Sequence, residues 1–240
     1  MLKSFEDYKN FISAVLHQLA DAAPGLKQNY YVGGTTPISC LDLQHAISFD
    51  LDLHTKTEIA PTSQESIQLK RTFRKKDARL EWHQADSAFG MYQGTLFLGN
   101  DLPTLSVDLF SNVESAQPND IRQEPAFSPI PLVTPRRYLR EKLSCLEERQ
   151  EPKDSYHLFC LWSDPRYQNA VEQGIRSLDP PNVVLALEAT LLGWPHERDK
   201  IFALPGLKPI DETRFRKWLL TWKKTMQRSR EKNPPSTPSL

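Results

Sequence analysis

Asp50 and Asp52 stand one residue apart in SFDLDLH (48–54), a short way after the triplet Gly33-Gly34-Thr35. Apolar and polar residues alternate strictly here, with Phe49, Leu51 and Leu53 on one side and Ser48, Asp50 and Asp52 on the other. A period of two predicts a β-strand, so the two carboxylates project from one face, about 7 Å apart along the chain. A second alternating run, TLSVDLF (104–110), sets Leu105, Val107 and Leu109 against Ser106 and Asp108. Three acids drawn from two strands suit Mg²⁺ or Mn²⁺, hard cations that prefer oxygen ligands. Two such ions neutralise a reacting phosphate and hold the attacking and leaving oxygens in line, which is the requirement of phosphoryl and nucleotidyl transfer. The glycines answer a different need. Phosphate oxygens take backbone N–H groups at close range where no side chain obstructs them, and Gly33-Gly34 with the Thr35 hydroxyl offers such a nest.

Other chemistries lack their residues. The chain has no G-x-x-x-x-G-K-[ST], G-x-G-x-x-G or G-x-S-x-G, no H-E-x-x-H and no Cys–His arrangement. Its three cysteines, Cys40, Cys145 and Cys160, are odd in number and widely scattered. That excludes a disulfide framework and zinc-ligand spacing and points to reduced thiols in a cytoplasm. No apolar run reaches the length of a membrane span, and the N-terminus lacks the apolar core of a signal peptide.

The elements that must position these residues follow from periodicity. Phe5, Tyr8, Phe11, Ile12, Leu16 and Leu19 make a helical stripe over 5–22, NYYV (29–32) reads as a strand, and 36–44 as a short helix with Pro37 in its first turn. Residues 63–78 read as a helix with a basic outer face, followed by strands at 79–84, at 88–98 with a turn near Gly94, and at 104–110. The Pro-, Ser- and Asn-rich stretch 111–133 reads as a long connection. After it Thr134 can cap a helix that opens on Pro135 and runs to about Arg149, with further helices at 153–163, 166–177, 182–192 and 211–230. The tail NPPSTPSL (233–240) has nothing to bury and is expected to be disordered.

The stretch VGGTTPISCLDLQHAISFDLDLHT (32–55) resembles the first motif of AbiEii-type nucleotidyltransferases, the toxin components of bacterial toxin–antitoxin and abortive-infection systems within the polymerase-β-like superfold. The family pattern is a G-G-T turn followed by H-R-x-S-x-D-x-D, and this chain has His45-Ala46-Ile47-Ser48-Phe49-Asp50-Leu51-Asp52. A second stretch resembles the family's K-x-x-A-L-x-x-R helix and the K-D-x-x-D-L segment after it. It reads Lys142-Leu143-Ser144-Cys145-Leu146-Glu147-Glu148-Arg149, then Lys153-Asp154-Ser155-Tyr156-His157-Leu158. Lys142 and Arg149 are two helical turns apart and share a face.

The resemblance implies an α+β protein with a mixed-sheet nucleotidyltransferase core over 1–133 and a helical domain over 134–232. It implies a metal-dependent transfer of a nucleotidyl group from a nucleoside triphosphate to an acceptor hydroxyl, on RNA such as tRNA 3′ ends for some members, with a cognate antitoxin protein as partner. In that reading Asp50, Asp52 and Asp108 hold metal, with Asp108 able to serve as general base. Gly33, Gly34, Thr35 and Ser48 cradle phosphates, and Lys142 and Arg149 reach the triphosphate.

Ala46 stands where the family has Arg, His157 where it has a second Asp, and Ser106 where it often has a base. These departures keep two further readings open: transfer to a small molecule or protein, and a catalytically silent nucleotide-binding scaffold. The 240 residues carry 30 basic and 30 acidic side chains, a formal net charge of zero. The charge is nonetheless uneven. Residues 70–79 hold six bases and one acid, and 211–232 hold eight bases and three acids, patches suited to an RNA backbone.

Overall fold

The computed structural model describes residues 2–58, 63–75, 77–86, 91–99, 101–112, 115–198 and 204–232. The chain divides into two compact units, Met1–Tyr138 with Ala203–Leu207, and Leu139–Phe202 with Lys208–Leu240. The expected tail 233–240 lies outside the described residues.

The first unit begins with helix α1 (Phe5–Ala22). Ser4 caps it by accepting the Asp7 N–H at 3.1 Å. A short α2 (Gly25–Asn29) leads into β1 (Tyr30–Val32). After the two glycines comes α3 (Thr35–Ile38), which widens into a π-turn over Ser39–Leu43 and ends on Gln44 with φ 53°. Pro37 sits in the first turn, where a missing N–H leaves no helical bond unmade. Then follow β2 (Asp50–Glu58), α4 (Ser63–Thr72), β3 (Arg74–Lys75), β4 (Ala78–Asp86), β5 (Met91–Leu98), β6 (Leu105–Asn112), β7 (Ile121–Glu124) and β8 (Ser128–Val133). They form one eight-stranded sheet in the order β3-β4-β5-β6-β2-β1-β8-β7. The pairs β2–β6 and β1–β8 are parallel and the others antiparallel, so the sheet is mixed.

One face of this sheet is the core. Leu51 and Leu53 of β2 and Leu105, Val107 and Leu109 of β6 are all 0% exposed. They cluster with Tyr8, Ile12, Leu16 and Leu19 of α1. Burial of each such side chain contributes about 1.5–3 kcal/mol. A one-residue slip would expose the leucines and bury the aspartates, so the apolar face fixes where the acids point.

Three expectations for the sheet unit need correction. Gly94 is not a turn: β5 runs straight through it, and it faces Trp82 of β4. A Cβ there would lie 2.6 Å from both Trp82 Cε3 and the Glu81 carbonyl, so the glycine admits a ring. The helix expected over 63–78 stops at Thr72, because Arg74 and Lys75 pair with β4 as a short edge strand. The connection expected over 111–133 contains β7 and β8. Its prolines concealed an inner strand because the residues that pair are Ser128, Leu132 and Val133, while Pro129 and Pro131 fall at an irregularity opposite Arg122–Glu124.

The second unit is helical. It is built from α5 (Pro135–Glu148), whose first turn belongs to the sheet unit, with α6 (Pro152–Ser163), α7 (Gln168–Ser177), α8 (Pro180–Arg198) and α9 (Glu212–Lys232). Thr134 accepts the Arg137 N–H at 3.4 Å as the cap of α5. Phe215, Trp218, Leu219, Trp222 and Met226 of α9 are buried at helical spacing. Phe215 meets Trp194 edge-on with centroids 4.7 Å apart and Phe159 at 5.0 Å. The helix expected to end at Leu192 continues through Pro195. Among the described residues no helix is long and apolar enough to cross a membrane.

Gly94→Val is expected to destabilise the sheet unit by about 1–3 kcal/mol through overpacking against Trp82. Chemical denaturation measures this, and an unchanged midpoint would show that the strand pair yields without loss.

Candidate functional site

The glycine turn is tied to the acid-bearing strand at its first residue. Gly33 N–H donates to the Asp52 carbonyl at 2.7 Å. Gly34 has φ 66°, a left-handed conformation that favours glycine, and a Cβ there would overlap the Asp52 carboxylate, 2.1 Å from Oδ2. The turn therefore lies directly against one of the acids.

The strand registers bring the acids together. Asp52 pairs with Asp108 across the parallel β2–β6 ladder, and Asp50 pairs with Ser106. Side chains of paired residues share a face, and neighbouring strands are about 4.8 Å apart. Burial pushes the Asp108 carboxyl up to about 6, helped by the charge of Asp52 and, less strongly, of Asp50, while bonds from Ser106 and Gln93 oppose the rise. Ser106 Oγ donates to Asp108 Oδ1 at 3.2 Å. Ser48 Oγ accepts the Asp50 N–H at 3.3 Å and lies 3.4 Å from Asp50 Oδ2, so it shapes the start of β2. Thr35 Oγ1 lies 3.2 Å from the Tyr138 hydroxyl. Thr36 Oγ1 donates to the Asp50 carbonyl at 3.0 Å and so pins the short helix to β2. Arg122 of β7 forks onto Asp42 and anchors the far end of the π-turn.

Gly33, Gly34, Ser48, Asp50, Asp52 and Asp108 are thus gathered on the first unit, on and beside one sheet face, with Thr35 next to the turn. Among the described residues no three His, Cys, Asp or Glu side chains form a ready-made metal cage. What is shown is narrower: Asp52 and Asp50 stand close enough to Asp108 for their charges to act on it, and all three offer oxygen donors of the type a hard divalent cation takes.

Lys142 and Arg149 belong to the helical unit, and their partner there is Asp154 of α6. Lys142 Nζ donates to Asp154 Oδ1 at 2.9 Å, and Arg149 donates to both oxygens at 2.9 Å. Asp154 is fully buried and Lys142 nearly so, while the Arg149 side chain is 43% exposed. Burial raises the Asp154 carboxyl, but the Arg149 hydrogen bonds and the Lys142 charge outweigh it and hold it below the ordinary range. The lysine and arginine expected at a triphosphate are therefore joined by a structural acid. Asp154 lies within the segment that resembles K-D-x-x-D-L, and its role shows only in the folded chain. Also unforeseen were Tyr138 and Gln93, which only strand and helix pairing places, whereas Ser106 was already legible from its alternation with Asp108.

Of the basic stretches, Arg79 pairs with Glu81 at 2.9 Å and stacks on Phe97, whereas α9 exposes Arg216, Lys217, Lys224 and Arg228 on the side away from its aromatic stripe.

No family model and no curated protein sequence matches the chain. Among solved structures, JHP933 from Helicobacter pylori superimposes with a TM-score of 0.56 at 11% identity, over 92% of this chain and 95% of that one. A candidate nucleotidyltransferase from H. pylori does so with a TM-score of 0.52 at 14% identity, over 92% of this chain and 96% of that one. The nucleotidyltransferase toxin MenT4, Rv2826c from Mycobacterium tuberculosis H37Rv, reaches only 0.45 at 14% identity, over 92% of this chain and 84% of that one. At such identities the first two establish the fold: an α+β chain with a mixed-sheet core followed by helices.

Two outcomes follow. A carboxyl raised in the fold binds its proton more tightly there than in the unfolded chain. Its stabilising effect is complete below the unfolded value of 3.8 and is lost as pH rises through about 6. Asp108→Asn in the presence of chelator is therefore expected to stabilise by about 1–2 kcal/mol, allowing for solvent screening, above that window and little below it. Thermal unfolding across pH checks this, and a uniform or opposite shift contradicts it. Asp154→Ala leaves Lys142 buried without this partner and is expected to destabilise by about 3–5 kcal/mol. Tryptophan fluorescence reads this loss, since Trp162, Trp194, Trp218 and Trp222 all lie in the helical unit.

Proposed function

We propose that the chain is a metal-dependent nucleotidyltransferase that moves a nucleotidyl group from a nucleoside triphosphate to an acceptor hydroxyl. The observation that carries this is the placement of Asp52 beside Asp108 in the parallel ladder, with Asp50 on the same face and the Gly33-Gly34 turn resting on Asp52. Asp50, Asp52 and Asp108 would hold Mg²⁺ or Mn²⁺. The raised Asp108 carboxyl, lifted first by burial and then by the charges of Asp52 and Asp50, supports the fit, because a divalent cation would offset that repulsion. When bound, the metal neutralises phosphate charge and polarises the reacting oxygens. Asp108 would alternatively accept the proton of the acceptor hydroxyl, a role suited to a carboxyl tuned upward. The N–H groups of Gly34 and Thr35 are the natural donors to a phosphate, since no Cβ stands at Gly34 to block the approach.

The fold shared with the candidate nucleotidyltransferase of H. pylori supports this reading, as does the resemblance of residues 32–55 to the AbiEii-type motif. RNA, including tRNA, is the favoured acceptor, because α9 presents exposed Arg216, Lys217, Lys224 and Arg228 suited to a phosphate backbone. A toxin or defence role with a cognate antitoxin follows from the same resemblance. Lys142 and Arg149 share Asp154 as an anchor, which would hold both heads in place for the nucleotide-binding role that the resemblance gives them.

Incubation with labelled triphosphates, Mg²⁺ and total RNA tests the proposal. Label is expected to pass to RNA and to fall at least about a hundredfold in Asp52→Asn, the loss expected when transition-state charge stabilisation is removed. Transfer to a small molecule or protein instead would revise the acceptor. Triphosphate binding without transfer to any acceptor would leave a scaffold, and full activity of Asp52→Asn would end the proposal.

A further inference from the structure

Beyond the acids, the same sheet face carries three rings in a row: Tyr31 of β1, His54 of β2 and Phe110 of β6. The registers pair Tyr31 with His54 and His54 with Phe110. His54 stacks on Tyr31 with centroids 5.4 Å apart and planes at 18°, and on Phe110 at 5.1 Å and 27°. Its Nδ1 lies 3.2 Å from Asn112 Oδ1. The Asn112 amide nitrogen donates to the Tyr31 hydroxyl and to the Thr55 carbonyl. The oxygen is therefore the atom that faces the imidazole, and His54 donates from Nδ1. The ring is fixed on both faces and at one edge.

The fixed ring explains one of the two glycines. A Cβ at Gly33 would lie 2.5 Å from His54 Cδ2 and 2.8 Å from Nε2, with nothing else nearer than 3.7 Å. Gly33 is not among the positive-φ glycines, whereas Gly34 is. Gly34 is required by its backbone and by Asp52. Gly33 is required by the imidazole alone.

We infer that His54 is a positioning residue, whose clamped ring is the block on which the Gly33 end of the turn rests and which sets the height of the turn amides over Asp52 and Asp108. This rests on the reading of that turn as a phosphate cradle. Alternate residues of β2 then divide the support, with Asp52 beneath Gly34 and His54 beneath Gly33. The stack spans three adjacent strands and shares its middle strand with the acids, so turn and acids are held in one frame.

A double-mutant cycle tests this without reference to catalysis. Gly33→Ala is expected to lower the thermal midpoint. In the His54→Ala background the added methyl has room, so the same change is expected to lower it much less. Exchange of the Gly33 amide, which bonds the Asp52 carbonyl, is expected to quicken in His54→Ala. Strictly additive midpoints with unchanged exchange would overturn the inference whatever the activity.

The second arm measures transfer. His54→Ala is expected to lower kcat/KM for the triphosphate roughly ten- to hundredfold, the effect of a displaced binding group, with the acceptor KM unchanged. His54→Phe keeps the stack and is expected to recover most of the loss. Full transfer by His54→Ala overturns the positioning role. Coupled midpoints in a wild-type protein that transfers nothing overturn the reading of the site and support the place of His54 beneath Gly33.

Discussion

Like charges on adjacent strands repel, and in the half-buried setting of a sheet face water screens them poorly. Asp52 and Asp108 face one another in this way across the parallel β2–β6 ladder, with Asp50 close enough to add to the effect on Asp108. The fold holds them there because the opposite face of both strands is a closed leucine and valine layer packed on α1. Neither strand can rotate or slip to separate the acids without exposing that layer. Hydrophobic burial on one side thus holds the like charges together on the other.

The helical unit meets the opposite problem with opposite means. Asp154 is more deeply buried than any of the sheet acids, yet it meets two cations where Asp108 meets two further acids. Burial raises both carboxyls; the charges of Asp52 and Asp50 add to that rise at Asp108, whereas Arg149 and Lys142 reverse it at Asp154. A lowered, doubly bonded carboxylate orders its neighbours, and a raised one is poised to gain a cation or a proton. The glycine turn lies on the side where that gain would occur.

Similarity to known structures reaches the fold and no further, since neither identity exceeds 14%. The functional reading is accordingly carried by the site itself: carboxylate placement, a turn in contact with it, and a ring stack that holds both.

Much of this was legible in the chain. Strict alternation in SFDLDLH and TLSVDLF placed Asp50, Asp52 and Asp108 on polar faces, because a period of two admits no other arrangement when one side is leucine. The stripe of α1 and the Thr134-Pro135 start of α5 were equally plain, being set by local spacing and capping. What stayed hidden depends on partners distant in sequence. Gly94 resembled a turn until Trp82 was placed opposite it, and Pro129 and Pro131 concealed a strand whose pairing bypasses them. Lys142 and Arg149 were expected at phosphate until α6 brought Asp154 between them, and nothing local to His54 told that β1 and β6 bring Tyr31 and Phe110 to its two faces. Local periodicity decides which way a side chain points; only the pairing of distant strands and helices decides what it meets there.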